Sequence, residues 1–504
     1  MATVLRADPD ASANGSASGE SRNIASRLSV DTPGGAGGWT VSRLIGVLVM
    51  VLGANLGATS IHDNSFFTHL ATGRLLVDHG LGSLWGGMAD PYTRFGAGQN
   101  WILQSWLPSY AYGLVDKGAG AAGLRTLMAL TTAALAGLLW RLSAPARGLL
   151  PRVAVVGLAL VIGATGWSQR PLLVGLVLLA VVLLVAESAL DPRWLVPVMW
   201  VWVNSHGSFP FAIVALATLA VGSQLDGRRP VAELRALRWC VAGTIFGGVA
   251  NPVGPALLLF PVRLLQRSEA LHRIVEWRSP SFDDTWTRAF LVLMVIAIVG
   301  IVRHPSYRVA VPSVVFVAVA LVAQRNIPVA VVVLVPAASQ GLAGLGSFLG
   351  DVRAPIWRFG SIAMLVCGAL VVGSTIRSEP GYRLDAYPVR PVDWLEARGL
   401  LGATTVVAHP DFVGNYFELR YGSAVPVFID DRYELHDPEL ARQSGDLVRG
   451  LPSWNDTLAE RSVDIVLWPQ DTPLAALLEA SSAEWTIAYR DTQWLVACRP
   501  AAGC

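Results

Sequence analysis

The chain has 504 residues, of which 53% are apolar and only 15% charged, with a formal net charge of +2. That composition excludes a single ordinary soluble domain and points to an α-helical polytopic membrane protein. The near-zero charge, with no Lys/Arg-rich run and no basic patch interleaved with aromatics, argues against a nucleic-acid partner.

Residues 1–38 are rich in Ser, Ala, Gly and Asp and lack hydrophobic periodicity, so they read as a disordered cytoplasmic tail. The glycines of 34–38 follow no strand and read as linker, not as a phosphate-cradling loop. The first apolar run, about 43–60, is then an anchor. Further runs follow near 122–140, 153–167, 172–189, 193–205, 208–225, 239–252, 289–302, 309–323, 327–346 and 358–376, giving about eleven spans. Lys117 is the only lysine. The arginine bias, with abundant Ala and Gly, points to a bacterial genome of high GC content.

Arginines in short loops set the orientation. With the N-terminus inside, Arg141, Arg147 and Arg152, then Arg193, then Arg228, Arg229, Arg235 and Arg238, then Arg303 and Arg308, then Arg353 and Arg358 all fall on the cytoplasmic side. The exception is 253–288, with Arg263, Arg267, Arg273, Arg278 and Arg288 on the outer side; it is long enough for a re-entrant or surface helix.

Asp63 lies just after the first span, where an acid is costly unless it faces water or a partner. The first outer loop, about 62–121, holds Phe66, Phe67, Leu70, Trp101, Trp106, Tyr110 and Tyr112. Their spacing predicts helices in the interface plane, with the aromatics at headgroup depth as anchors or as a guide for a lipid-borne substrate. In this topology six polar clusters open to the outside: Asp63, Gln169-Arg170-Pro171, Asn204-Ser205-His206-Gly207, Asn251-Pro252, Glu276-Trp277 and Arg325-Asn326. Singly, each reads best as an ordinary helix end. Together they point to one water-filled cavity.

After about 378 the chain reads as a small extracytoplasmic α/β domain (379–504), with strands near 404–408, 425–429 and 463–468, helices at 412–420 and 472–482, and a terminal hairpin at 485–497. Asp430-Asp431-Arg432 follows an apolar run and is either a strand-end site or, preferably, a solvated turn. The four cysteines lack metal-ligand spacing. Free thiols are the favoured reading, with a Cys498–Cys504 disulfide as the alternative for a domain outside the cell.

The layout of an acid after the first span, a long outer loop, many short-looped spans and a C-terminal outer domain resembles the GT-C superfamily of polytopic glycosyltransferases. The stretches Asp63 to Gly73, Asp90-Pro91-Tyr92, Gln169-Arg170-Pro171, Asn204 to Gly207, Asn251-Pro252, Glu276-Trp277, Arg325 to Pro328 and Phe428 to Arg432 resemble a group of bacterial membrane proteins labelled glycosyltransferase-like. The resemblance covers about 40–500, with 39–378 as the membrane domain. It implies transfer of a sugar from a polyprenyl-phosphate carrier to a cell-envelope acceptor on the outer face of the bacterial plasma membrane. It also implies an acid of the first outer loop as the key residue, which here is Asp63. Superfamily members often pair two acids at that place, whereas Asp63 is flanked by His62 and Asn64; no metal or other cofactor is therefore expected, a divalent cation being the alternative.

Displacing a lipid phosphate from an anomeric carbon needs a base for the acceptor hydroxyl and cations for the departing phosphate. Asp63 is the expected base, with inversion if transfer is a single displacement, and Glu276 a second acid. Arg170 and Arg325 are expected on the phosphate, unless they merely snorkel to headgroups. His206 is an auxiliary donor, and His69 and Asn326 are further substrate contacts. Two other classes compete: a transporter or flippase of lipid-linked headgroups, which lacks support from internal repeats, and a non-catalytic scaffold for an envelope partner.

Overall fold

A computed structural model of the chain describes residues 41–96, 98–266, 275–344 and 357–504. The expected tail at 1–38 lies outside these residues, as do Arg267, Arg273 and Arg353 of the charged loops. Each apolar run of the sequence coincides with a helix. The first is α1 (Val41–Gly57), followed by α2 (Asn64–His79) and a short ribbon of β1 (Met88–Ala89) against β2 (Asn100–Trp101). Then come α3 (Trp106–Leu142), α4 (Leu149–Gly166), α5 (Leu172–Ala186), α6 (Leu195–Val203), α7 (Pro210–Leu225) and α8 (Val231–Val249). After α9 (Ala256–Gln266) follow α10 (Thr285–Arg303), α11 (Tyr307–Val322), α12 (Ile327–Gly341) and α13 (Trp357–Ser378).

Helices within α3, α4, α10 and α13 are long and apolar enough to cross a membrane by length and composition. Large apolar side chains stay exposed along the bundle, among them Leu130, Val249, Ile298, Val302, Val314 and Leu370. Helices that satisfy their own backbone and present such surface suit lipid as solvent, and the protein is a multi-pass helical membrane protein.

The helix ends sort into two sets. At one end, Arg308 donates to Glu187 (2.6 Å) and Glu233 (2.8 Å), and Asp226 accepts the backbone N–H of Tyr307 (2.7 Å), joining the loops around α5, α7, α8 and α11. The N-terminus of α5 marks the other end. A 15-residue helix separates them, about 22 Å at 1.5 Å per residue.

The first outer loop departs from expectation in two ways. Helix α3 begins at Trp106, well before the expected 122, and bends at Gly120, whose φ of 58° suits a residue without Cβ. Helix α2 is not an interfacial helix: Phe66, Phe67 and Leu70 are buried, with Phe66 against Tyr112 and Phe67 against Tyr382 and Tyr387. Trp101, Trp106 and Tyr112 are likewise core. The periodicity that would sink a face into headgroups instead packs it against α3 and the C-terminal region. Close packing requires glycines, since a Cβ on Gly73 would stand 2.0 Å from the Ser109 carbonyl and one on Gly113 2.2 Å from that of Gly73.

After α13 the chain turns back beside the start of α2. The Ile61 N–H donates to the Gly381 carbonyl (3.0 Å) and the Arg383 N–H to the Ile61 carbonyl (2.8 Å). Buried Arg125 satisfies the carbonyls of Ala58, Thr375, Ile376 and Glu379, fixing both strands of this junction. The remaining chain forms α14 (Val389–Glu396), β3 (Val407–Ala408), α15 (Asp411–Tyr421), α16 (Pro438–Arg449), α17 (Trp454–Glu460), β4 (Ile465–Pro469), α18 (Pro473–Ala480), β5 (Thr486–Arg490) and β6 (Trp494–Cys498). The sheet order is β3-β4-β6-β5, with β3 parallel to β4 and the rest antiparallel. Residues 425–429 are not the expected sheet strand. Val427 pairs with the first outer loop, its N–H donating to the Tyr92 carbonyl and its carbonyl accepting from Arg94, both at 2.9 Å. Cys498 and Cys504 are disulfide-bonded, contrary to the favoured reading.

Candidate active site

Asp63 caps α2, its Oδ1 accepting the Ser65 N–H at 3.0 Å. A carboxylate there satisfies an orphan donor and faces the positive end of the helix dipole. The turn between α4 and α5 brings Arg170 onto it: Nε lies 2.8 Å from Oδ1 and 2.7 Å from Oδ2. Nη1 of the same guanidinium donates to Glu276 at 2.8 Å. Side-chain exposure rises along the chain of charges, from 7% at Asp63 through 23% at Arg170 to 43% at Glu276, so Asp63 is its inner end. Burial alone would lower the Arg170 pKa, but Asp63 and Glu276 hold it above the usual range.

Beside this chain stands a second cation. The Arg325 guanidinium lies 4.3 Å over the Trp277 ring. Two bonds fix that stack: the Gln324 N–H donates to the Arg278 carbonyl, and its side chain to that of Val275, both at 2.9 Å. Among the described residues no carboxylate lies within ion-pair distance of Arg325. Burial lowers its pKa, and Arg170 repels it while Glu276 offsets part of the loss. His206 accepts the Ser208 N–H on Nδ1 at 3.1 Å, which places the proton of its neutral ring on Nε2. Burial, then Arg325, His69 and Arg170, push it down to about 3. His69 lies 3.1 Å from the Ser109 hydroxyl, and burial with Arg170 and Arg432 lowers it to about 3 as well. The site therefore holds two arginines beside two neutral imidazoles.

The third component comes from the segment after β3, and sequence reasoning undervalued it. Asp430 and Asp431 are not a solvated turn. Asp431 accepts from Asn415 at 2.7 Å, from Asn64 at 3.3 Å and from the Ser65 hydroxyl. Burial, with Asp430, raises it to about 6 against the opposing pull of Ser65, Arg170 and Asn415. Asp430 is buried with Arg432 and His436, and Arg432 also binds Asp90 (2.9 Å) and Glu418 (3.1 Å). An acid pair after an apolar run was visible in the sequence; partners 366 and 367 positions away were not.

Other expected residues serve the scaffold. Asn326 donates to the Val319 carbonyl at 3.3 Å, closing the end of α11, and Asn204 accepts from the Trp106 indole at 2.7 Å. Asn251 accepts the N–H groups of Val253 and Gly254 in a tight turn. Among the described residues no three His, Cys, Asp or Glu side chains group as a metal site. A cation on Asp63 would have to displace Arg170.

Thirteen described helices up to Ser378 and a small C-terminal sheet domain surround this polar site, and the fold has likenesses among solved structures. It is similar to the archaeal oligosaccharyltransferase AglB from Archaeoglobus fulgidus, solved with an inhibitory peptide and a dolichol-phosphate, at 11% identity and a TM-score of 0.50 over 85% of this chain and 69% of that one. It is also similar to the arabinofuranosyltransferase AftD from Mycobacteria, at 14% identity and a TM-score of 0.47 over 91% of this chain and 39% of that one. At these identities the likeness is one of fold. No family model matches the chain, and no curated protein matches it.

Proposed function

We propose that the protein is an integral membrane glycosyltransferase that moves a sugar from a polyprenyl-phosphate carrier to a cell-envelope acceptor at the outer face of a bacterial plasma membrane. In this reading 39–378 is the membrane domain with about eleven crossings, the N-terminus is cytoplasmic, and 379–504 lies outside. The observation that carries it is the pairing of the Asp63–Arg170–Glu276 chain with Arg325, a half-buried cation that, among the described residues, has no carboxylate at ion-pair distance. Such a cation favours an anionic ligand, and a guanidinium fork matches phosphate oxygens. The Cys498–Cys504 disulfide supports placement of the C-terminal domain outside the cell.

The carrier phosphate sits against Arg325 and Arg170, with the His206 Nε2–H as an auxiliary donor and His69 lining the sugar. The acceptor oxygen attacks the anomeric carbon as the bond to phosphate breaks, with inversion in a single displacement. Its proton passes to a carboxylate at this centre, the role expected of Asp63. The test is the wild type in nanodiscs with a panel of radiolabelled polyprenyl-phosphate sugars and a crude envelope acceptor fraction. Label passing to the acceptor supports the reading; transfer from nucleotide sugars only, or none from any lipid-linked donor, overturns it.

A further inference from the structure

Two carboxylates meet at the start of α2, and a single residue joins them. The Ser65 backbone N–H donates to Asp63, and the Ser65 hydroxyl donates to Asp431. Their surroundings differ in kind. Both oxygens of Asp63 face the Arg170 guanidinium at 2.7 and 2.8 Å, and Asp63 also caps the helix, so its negative charge is matched twice. Both of its oxygens are thus committed to a charge-assisted pair. Every bond to Asp431 comes instead from a neutral group: the Ser65 hydroxyl and the amides of Asn64 and Asn415.

We propose that Asp431, brought from the C-terminal domain, is the carboxylate that takes the acceptor's proton, while Asp63 holds Arg170 in place. The proposal rests on the glycosyl-transfer reading. In the step, the acceptor O–H bond breaks and its proton goes to an Asp431 oxygen. The acceptor oxygen forms the bond to the anomeric carbon, and the electron pair of the carbon–oxygen bond leaves with the carrier phosphate. The pair of acids missing in sequence around Asp63 is thereby completed from 368 residues away, across the interface between outer loop and C-terminal domain.

Charged and titratable groups surround Asp431 on several sides. Asp430 and Glu434 flank it along the chain and favour its protonated form, while Arg170 and Arg325 oppose them. Tyr387 and Tyr433 also feel its charge, and burial with neighbouring acids keeps both phenols above their usual range, so neither competes for the proton. Asn415 is tied in turn to Thr68 at 2.6 Å, which anchors the carboxylate to α2 by a second route.

The experiment compares transfer rates of wild type, Asp431→Asn, Asp431→Glu and Asp63→Asn across pH 4.5 to 8.5, using the labelled lipid-linked sugar that the wild type turns over. Binding of the same carrier's polyprenyl phosphate is measured beside each rate as a check on folding. A base must be deprotonated to act, so wild-type turnover should fall as pH drops through about 6. Asp431→Asn should lose about 10²–10⁴-fold in rate while still binding polyprenyl phosphate, and Asp431→Glu should restore turnover with a displaced acidic limb. Residual turnover in Asp63→Asn should keep the limb near 6. An Asp431→Asn protein with at least half the wild-type rate, or an Asp63→Asn protein whose acidic limb disappears, overturns the assignment but leaves the glycosyl-transfer reading intact. Silence from the wild type overturns both. Loss of carrier binding in both Asp431 variants would make Asp431 a structural tether and also overturn the assignment.

Discussion

Arg432 is the clearest place to test how the C-terminal domain is held against the outer loop. Its side chain is 7% exposed, while its carboxylate partners Asp90, Glu418 and Asp430 are at 0%. It also lies 4.4 Å over the Trp101 ring. Arg432→Met removes the cation and leaves three acids buried without it, and breaking a buried pair in this way costs about 3–5 kcal/mol. A loss of 3 kcal/mol raises the open population by about two orders of magnitude. Limited proteolysis in nanodiscs, under conditions where opening is fast relative to cleavage, reads that population directly. The pH dependence gives a second check. Burial alone would raise the Asp430 carboxyl, but Arg432 and His436 hold it well below the usual range. Its stabilisation in the wild type is therefore present above the unfolded carboxylate pKa, about 3.9, and fades only as pH falls below that. In the variant Asp430 loses the Arg432 charge that holds it down and takes up its proton at higher pH, so the deficit should shrink between pH 8 and pH 5. Cleavage within threefold of wild type at pH 7.5, or a deficit equal at both pH values, would refute this account of the clamp.

Arg325→Met should weaken polyprenyl-phosphate binding by about one to two orders of magnitude, the worth of a charge-assisted hydrogen bond, as read by equilibrium binding in nanodiscs. Gly73→Val should separate α2 from α3, because a Cβ there meets the Ser109 carbonyl at 2.0 Å; a lowered melting temperature with lost carrier binding is the expected readout. Cys504→Ser should cost the C-terminal domain about 2 kcal/mol through the entropy of the short closed loop, measured by denaturant unfolding against the same domain under reducing conditions, where the difference should vanish.

Hydropathy was enough to put a helix on every apolar run, because a lipid-facing helix must be apolar along its length and its polar ends mark the turns. For the same reason the sequence could bring together Asp63, Arg170, His206, Glu276 and Arg325, all of which lie at one set of helix ends. It could not tell an interfacial aromatic from a buried one, so Phe66, Phe67 and Trp106 were placed at headgroups and proved to be core. Burial on α2 depends on the C-terminal chain returning beside Ile61, and periodicity carries no information about that return. Asp431 was misread for a related reason: the bonds that distinguish it from a solvated turn come from Asn64 and Ser65. Val427 read as a sheet strand because its run is β-prone, but its backbone partners are Tyr92 and Arg94.

The most direct test of the central claim is the single-turnover transfer rate from a labelled polyprenyl-phosphate sugar, compared between wild type and Asp63→Asn in nanodiscs. Replacing the carboxylate that positions Arg170 should cut the rate by about two orders of magnitude, with the protein still folded. Wild-type turnover that survives undiminished in Asp63→Asn would contradict the account and move the chemistry away from this site.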